Sequence, residues 1–324
     1  MIRRKLFKLA ALACASVSLA AVSFASYAFP NKPIRLIVPF SPGGGTDILA
    51  RQLAEHLSKT QGWSVIVENK PGGNGAIALA SIARATPDGH EIILALRENI
   101  VISPLLSGTN GAFKPLDDFT SISNVASSPM MIVSGADSKY KTIGQVLEAA
   151  KKDPTALRFG TSGQGSMSHL LLAMLEAKAG AGMIHVPYKG SNPALTDMVG
   201  GHVELVGGSI GSAKAFLESK RAIPLAVSSL ERVKAFPNVP TIAEQGYPGF
   251  NVVTWYGLFG PKGVPVAAVE KISAAVNQTL SDPAFQKVLS DQGMIPEKGS
   301  PKQFDDMFRA DYLELEKQIK TLKM

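Results

Sequence analysis

Short apolar runs alternate with segments of helical periodicity along most of the chain. Apolar runs of this length, rich in β-branched residues and bounded by turn residues, are typical of buried strands. The predicted strands span residues 34–40, 64–68, 91–96, 121–125, 130–134, 157–160, 184–187, 203–207, 222–227 and 252–259. The helices predicted between them span residues 47–59, 76–85, 142–152, 167–178 and 192–199. Because strands that alternate with helices form βαβ units, the pattern predicts an α/β fold with parallel sheets covered on both faces.

The end of the chain has a different pattern. From residue 266 onward only helices are predicted, over 266–280, 283–292 and 301–322. Helices with one apolar face must bury it against another element. We therefore expect this tail to pack back over an earlier sheet.

The helix predicted over 47–59 begins beside three consecutive glycines. Leu49, Leu53 and Leu57 recur at intervals of four and form its apolar face. Thr46 or Asp47 is a suitable N-cap. The glycines at 43–45 therefore precede a helix N-terminus, where unpaired N–H groups and the helix dipole favour an anionic ligand.

A nucleotide-binding loop does not fit these glycines. A P-loop ends in Gly-Lys-Ser/Thr, whereas Thr46 and Asp47 follow here. A dinucleotide fingerprint needs a third glycine at position 48, which is Ile48. A tight turn without a ligand and an anion site both remain open.

A second loop of small and hydroxylated residues supports the anion site. It follows the strand predicted at 157–160 and runs through residues 161–169 into another apolar helix, and a third such loop lies at 71–75. One charge-assisted hydrogen bond contributes about 1.5–3 kcal/mol, while micromolar binding needs about 8 kcal/mol. Donors from more than one loop must therefore converge on a carboxylate.

The first residues have the layout of a secretory signal peptide. An apolar stretch at 9–22 is followed by small residues, with cleavage expected after Ala28 or, as the alternative, after Ala25. The stretch is short for a membrane span, and the residues before Cys14 form a poor lipobox. Four basic residues precede the apolar stretch: Arg3, Arg4, Lys5 and Lys8. We predict that residues 1–28 are a cleaved leader and that the protein is periplasmic.

Removal of this leader changes the composition. It leaves 29 of the 33 basic residues against 26 acidic ones, so the formal net charge falls from +7 to +3 and gives little support to nucleic-acid binding. Cys14 is the only cysteine, so the mature chain has neither a disulfide nor a thiolate metal site. Histidine spacing also gives no metal site, and we expect no cofactor. The remaining length suggests two domains.

Several ordered motifs resemble one family strongly. They are "PIRLIVPFSPGGGTDILAR", "VENKPGGNG", "PDG", "DFTSIS", "GTSGQGSMSHL", "HVPYKGSNPALTDMVGGHVEL", "PNVPTIAEQGYPGF" and "WYGLFGPKG". Together they resemble the substrate-binding receptors of tripartite tricarboxylate transporters, the Bug family. The resemblance implies a periplasmic binding protein type II, with one α/β domain formed by residues 29–128 plus 254–324, another by 129–253, and a ligand cleft between them. It also implies a monomer that captures a di- or tricarboxylate or an aromatic acid and delivers it transiently to integral-membrane transporter subunits.

The same resemblance implies the residues that bind the ligand. Asp47 cannot favourably touch a carboxylate, so it would accept a hydrogen bond from a bridging water or cap its helix. The predicted ligand-binding residues are Phe40, Gly43, Gly44, Gly45, Thr46, Asp47, Arg97, Asn99, Thr161, Ser162, Gly163, Gly165, Ser166, Ser168, His169 and Ser209.

Two departures from the family pattern affect the choice of ligand. Where many members carry small residues and hydroxyls, this chain has Arg97, Glu98 and Asn99. Where an Asp that can receive an amino group is common, it has Gly208 and Ser209. We hypothesise that the ligand lacks an ammonium group and that Arg97 meets a second carboxylate. The alternative is that Arg97 pairs with Glu98 or another surface acid.

An enzyme is the rival class of protein. Residues 207–211 read G-x-S-x-G after a strand, as in a nucleophile elbow. That order requires a histidine after Ser209, and all five histidines precede it. A hydrolase that uses Ser209 or Ser162, with His169 or His185 as base, remains an alternative, as does a ligand-presenting sensor. His169 is expected instead to donate a hydrogen bond beside the ligand loop or to cap its helix, and His185 to be a core residue.

Overall fold

A computed structural model describes residues 29 to 320, so the predicted leader at 1–28 lies outside the described residues. The strands are β1 (Ile34–Val38), β2 (Val65–Asn69), β3 (Glu91–Leu96), β4 (Phe119–Gly135), β5 (Arg158–Thr161), β6 (Ile184–Pro187), β7 (Leu205–Ser209), β8 (Ala222–Val227), β9 (Val253–Pro261) and β10 (Ile295–Pro296). They form one mixed sheet in the order β2-β1-β3-β9-β4-β7-β5-β6, and β8 and β10 also pair with β4.

Parallel pairing is confirmed at both ends of this sheet but not in its centre. β1 pairs in parallel with β2 and β3, and β5 pairs in parallel with β6 and β7. At the centre β9 runs antiparallel to β3 and β4, and β4 runs antiparallel to β7 and β8. The prediction of parallel sheets throughout is therefore wrong, because β4 and β9 enter the sheet without the right-handed helical crossover that a parallel pair requires.

Strand β4 replaces two predicted strands. The sequence predicts a break between 125 and 130, where small and polar residues have the composition of a turn. Instead the strand continues, pairing with β9 as far as Pro129 and with β7 from Met130 onward. Pro129 has no N–H to donate, and it is tolerated because it lies where β4 changes partners.

β4 thus joins two halves of the sheet. The first half contains β1, β2, β3, β9 and β10, and the second contains β5, β6, β7 and β8. From Pro33 onward the chain forms one compact unit. The division into domains of 29–128 plus 254–324 and 129–253 stays a prediction.

The helices cover this sheet. They are α1 (Gly45–Gln61), α2 (Ala76–Ala83), α3 (Ser103–Ser107), α4 (Ile143–Lys152), α5 (Met167–Ala179), α6 (Ser191–Val199), α7 (Ile210–Glu218), α8 (Val266–Thr279), α9 (Pro283–Asp291) and α10 (Pro301–Ile319). A π-helical turn, Glu98–Ile102, leads into α3, and the hydrophobic pattern did not indicate either of them. Within residues 29 to 320, no helix has both the length and the apolar character needed to cross a membrane.

The helical tail packs back on the sheet, as predicted. Phe304 and Phe308 of α10 lie against Phe259 of β9, with ring centroids 5.0 and 5.1 Å apart. Ser121 of β4 donates a hydrogen bond to Asp305 of the same helix, at 2.8 Å. Aromatic burial of this kind attaches α10 to the first half of the sheet.

Candidate functional site

A cavity of about 340 Å³ lies between loops that belong to the two halves of the sheet. One wall is the second loop, residues 162–166, which joins β5 to α5. The opposite wall combines residues from the first half of the sheet: Phe40, Asn74, Glu98, Ser103, Leu106 and Ser107. Loops from separate parts of the sheet therefore face one another across a space of the size of a small molecule.

Larger cavities lie elsewhere. One of about 670 Å³ borders the end of β4 near Gly135 and Arg221, and one of about 590 Å³ borders α9 near Pro283. Neither is lined by a residue of the glycine-rich or serine-rich loops. We place the candidate site in the smaller cavity because serines from both halves of the sheet line it, Ser103 and Ser107 on one wall and Ser162 and Ser166 on the other.

The first loop, residues 39–44, leads from β1 into α1. Its last residue, Gly44, is the N-cap of α1 and has no side chain with which to cap it. The prediction of Thr46 or Asp47 as N-cap is therefore wrong, because the helix begins at Gly45 and its N-cap lies two or three residues earlier than predicted. Glycines 43–45 are exposed at the mouth of the helix, and Gly43 has a φ of 84°, which favours glycine.

Asp47 fixes the shape of this first loop. Its buried carboxylate accepts hydrogen bonds from Arg51 Nε, Gly43 N and Asn69 Nδ2, each at 2.9 Å. The hydrogen bond from Arg51 is the largest of the effects that lower the pKa of Asp47 to about 2. Asn69 also donates to the carbonyl of Phe40, at 2.9 Å. These bonds tie the loop to β2 and keep Asp47 ionised.

Hydroxyl groups organise the second loop. Ser168 Oγ accepts a hydrogen bond from Ser162 N at 2.8 Å and lies 3.0 Å from the hydroxyls of Ser162 and Ser166. Ser166 is the N-cap of α5 and donates to the carbonyl of Gly163 at 2.7 Å. Gly163 and Gly165 have φ angles of 137° and 72°. The tight backbone of this loop therefore depends on glycine at both positions.

His169 supports the second loop from within the protein. Its Nδ1 accepts a hydrogen bond from Gly165 N at 3.1 Å, so this histidine is an acceptor in the loop rather than the predicted donor. Its ring stacks on that of His185, with centroids 3.9 Å apart. His185 Nε2 in turn lies 2.7 Å from Thr161 Oγ1. Burial, with a smaller effect of His185, lowers the pKa of His169 to about 4, and burial lowers the pKa of His185 as well.

We predict that acid destabilises the protein through His169. An unfolded histidine takes up its proton near pH 6.5, whereas folded His169 resists until about pH 4. The free energy of unfolding should therefore fall by up to roughly 1.4 kcal/mol per pH unit as the pH drops through this window. His185 acts in the same direction. Glu98 acts in the opposite direction, because burial raises its folded pKa and its contribution is lost as the pH rises.

Urea denaturation between pH 4 and pH 7 measures this effect. In His169→Asn, the side-chain oxygen still accepts from Gly165 N but cannot titrate, so the dependence on pH should become shallower. The matched control is His202→Asn, at an exposed histidine. An unchanged slope in His169→Asn would contradict the assignment.

Arg97 is paired within the protein. Its Nε and Nη2 donate to the carboxylate of Asp311 in α10, at 2.8 and 2.6 Å, and both side chains are largely buried. Trp255 Nε1 donates to the same carboxylate at 2.9 Å. These contacts favour the structural alternative for Arg97, with Asp311 rather than Glu98 as the partner. Contact of Arg97 with a ligand stays a prediction.

Glu98 lies on the cavity wall and connects the two halves of the sheet. Its Oε1 accepts a hydrogen bond from Met167 N, the first N–H of α5, at 3.0 Å. Burial raises the pKa of this carboxyl, while the bond from Met167 and the charge of Arg97 oppose that rise.

Asn99 and Ser209 make hydrogen bonds within the protein. Asn99 is buried, accepts from Leu96 N at 3.2 Å and donates to the carbonyl of Asn74 at 2.9 Å, so it fastens the third loop to the end of β3. Ser209 caps α7 and donates to Ser212 Oγ at 2.8 Å. Neither residue lines the cavity.

The structure therefore brings only part of the predicted set to the cavity wall: Phe40, Ser162, Gly163, Gly165 and Ser166. Sequence reasoning missed other lining residues, namely Asn74, Glu98, Ser103, Leu106, Ser107 and Gln164. Asn74 belongs to a loop already noted for its small residues, and Glu98 to a noted departure from the family. For Ser103, Leu106 and Ser107 the sequence holds no signal, because a short helix after a π-helical turn has no recognisable period.

The geometry of the serines does not support the hydrolase alternative. Ser162 bonds to Ser168 and Ser209 bonds to Ser212, so neither hydroxyl is held by His169 or His185 as a nucleophile would be. Among residues 29 to 320, no three His, Cys, Asp or Glu side chains are grouped to hold a metal ion.

Comparison with known proteins identifies the family. Residues 49–323 match the family described as "Tripartite tricarboxylate transporter family receptor", and the chain belongs to it. A UPF0065 protein of Pseudomonas sp. strain P51 is 37% identical over 285 residues, which cover 88% of this chain and 84% of that protein. Protein BugT of Bordetella pertussis is 32% identical over 278 residues, which cover 85% of this chain and 84% of BugT. The resemblance seen in the sequence is thereby confirmed.

Solved structures confirm the fold. Rpa4515 of R. palustris, solved with adipate, is 31% identical, with a TM-score of 0.80 over 90% of this chain and 98% of that one. MatC of Rhodopseudomonas palustris, solved with bound malate, is 28% identical, with a TM-score of 0.75 over 89% of this chain and 99% of MatC. The chain thus has the α/β fold of a periplasmic binding protein type II and is a solute-binding receptor rather than an enzyme.

Proposed function

We propose that this receptor captures a small organic acid in the periplasm by one carboxylate, held between the first and second loops, and delivers it to integral-membrane transporter subunits. The observation that carries the proposal is the cavity between Phe40 and residues 162–166, because Phe40 belongs to the loop that leads into α1 and residues 162–166 to the loop that leads into α5. The predicted leader and the family's role as a transporter receptor support the location and the delivery.

The chemistry of the cavity wall suits a carboxylate held by neutral donors. Among the described residues that line the cavity, none is Lys or Arg. The hydroxyl groups of Ser103 and Ser107 on one wall and of the second loop on the other would supply the donors instead, and those of the second loop would exchange their present bonds for bonds to the ligand. Several such bonds together reach the roughly 8 kcal/mol that micromolar binding requires. The adipate and malate bound by relatives support an organic acid as the ligand.

Closure of the two halves around the ligand would complete the site. Ser228 lies where the chain crosses between them, and it is fully buried. Its hydroxyl accepts from Met130 N at 2.8 Å and donates to the carbonyl of Val252 at 2.5 Å. Ser228 therefore bonds to both segments of the chain that cross between the halves, at Met130 and at Val252. We propose that the hinge of this motion lies beside Ser228.

A binding screen with a glycine variant tests the proposal. Thermal-shift and calorimetric titrations would compare mono-, di- and tricarboxylates, aromatic acids and amino acids; a ligand at one hundred times its Kd adds about 2.7 kcal/mol of stability. In Gly165→Ala, the added Cβ lies 3.2 Å from Leu106 Cδ1, on the opposite wall of the cavity. We expect the affinity for the preferred acid to fall at least tenfold.

The control for this variant lies at the other end of the same helix. Gly180 has a φ of 62°, close to the 72° of Gly165, and a Cβ there meets no atom within 4 Å. Gly180→Ala should therefore lose a similar stability, about 1–2 kcal/mol, without loss of affinity. Equal affinities in both variants, or a screen in which no acid binds, would contradict the proposed function.

A further inference from the structure

We propose that Glu98 selects the ligand: it makes the cavity prefer an acid with a single carboxylate and a hydrogen-bond donor at its other end over a dicarboxylate. The inference rests on the proposed function and names its substrate class. Among the described lining residues, Glu98 is the only one with an ionisable side chain, so its charge is not balanced on the cavity wall itself.

Arg97 offsets this charge only in part. Arg97 precedes Glu98 in the chain, but its guanidinium makes a bidentate pair with Asp311, on the side of α10. Tyr256 is close enough for the charge of Glu98 to add to burial in raising its pKa. A second carboxylate brought into the cavity would therefore meet a like charge in partly desolvated surroundings, where repulsion is strongest.

Glu98 is also held in place. Its Oε1 accepts from Met167 N, which fixes the carboxyl group against the start of α5. This bond engages Oε1, so among the described residues Oε2 is the carboxyl atom available for a hydrogen bond to a ligand. Burial raises the pKa of this carboxyl, so it ionises at higher pH than an exposed glutamate. Once ionised, Oε2 accepts from a hydroxyl, an amide or an ammonium group and gives a charge-assisted bond. This proposal replaces the hypothesis drawn from the sequence. That hypothesis expected a ligand with a second carboxylate, bound by Arg97, and without an ammonium group. Glu98 would instead disfavour a second carboxylate and accept a hydrogen bond from an ammonium group.

Matched acids of equal length test the proposal. Calorimetric titration at pH 8 would compare adipate with 6-hydroxyhexanoate and 6-aminohexanoate, and the corresponding four- and five-carbon sets. We expect the hydroxy or amino acid of the best-fitting length to bind at least tenfold more tightly than the dicarboxylate. In Glu98→Gln, which can still accept from Met167 N, the dicarboxylate should gain at least tenfold and the preference should disappear.

The outcomes separate this inference from the proposed function. Glu270→Gln, which removes an exposed charge on α8, should leave every affinity unchanged. Tighter binding of the dicarboxylate by the wild type, or an unchanged ratio in Glu98→Gln, would overturn the role of Glu98 and leave carboxylate capture intact. Failure of every acid at every length would overturn both. If Glu98→Gln does not fold, the ratio of the wild-type affinities for the hydroxy or amino acid and for the dicarboxylate of the same length decides.

Discussion

Replacing Asp311 with alanine should lower the free energy of unfolding by about 3–5 kcal/mol, the usual result of leaving a buried charge without its partner. The side chain of Arg97 is only 13% exposed, and its guanidinium would lose its charged hydrogen bonds to this carboxylate. Trp255 Nε1 would lose its acceptor as well. Urea denaturation measures the loss, and affinity for the preferred acid should change by less than threefold.

A matched control lies on the same helix. Asp306 pairs with Lys302, and both side chains are more than half exposed. Asp306→Ala should therefore cost less than about 1 kcal/mol. Arg97→Met combined with Asp311→Ala should recover part of the loss, because neither charge is then left alone. If Arg97→Met instead weakens dicarboxylate binding while stability is unchanged, then Arg97 contacts the ligand and the structural role is wrong.

Replacing Asp47 with alanine should have the second large effect, this time on both stability and binding. Three donors share this carboxylate, and hydrogen bonds to a charged group contribute about 1.5–3 kcal/mol each, so we expect a loss of about 3 kcal/mol after the exposed donors regain water. Release of Gly43 and Asn69 frees the first loop. Affinity for the preferred acid should therefore fall at least tenfold, measured by calorimetry.

The control for Asp47 is Glu55, which lies on the same helix and pairs with Lys59 in solvent. Glu55→Ala should change stability by less than about 1 kcal/mol and leave affinity unchanged. Asp47 also gives a dependence on pH. Its pKa is lowered from 3.8 to about 2, so its contribution is present above pH 3.8 and is lost as the pH falls toward 2. Wild-type affinity in Asp47→Ala would show that the first loop does not depend on this anchor.

The sequence was sufficient to predict those parts of the fold that depend on local pattern. The apolar runs at β3, β6 and β8 have the predicted limits, because a short apolar run defines each strand locally. β4 was predicted as two strands because residues 126–129 look like a turn. Its continuation depends on pairing with β9, which lies more than a hundred residues further along the chain. Pairing over such a distance leaves no signal in the local pattern.

The same distinction applies to the candidate site. The glycines and serines of the two loops are visible in the sequence because tight turns before helices require those residue types. The partner of Arg97 was not visible, since Asp311 is one of many acids in the chain and only the packing of α10 brings it to β3. Glu98 was noted as unusual but not assigned, because its position on the cavity wall depends on a π-helical turn.

The most direct test of the central claim is a crystal structure of the receptor with its preferred acid. The account predicts one carboxylate in the cavity beside Phe40, accepting hydrogen bonds from N–H or hydroxyl groups of both residues 39–46 and residues 162–168. A carboxylate bound by one loop alone, paired with Arg97, or seated in another cavity would contradict it.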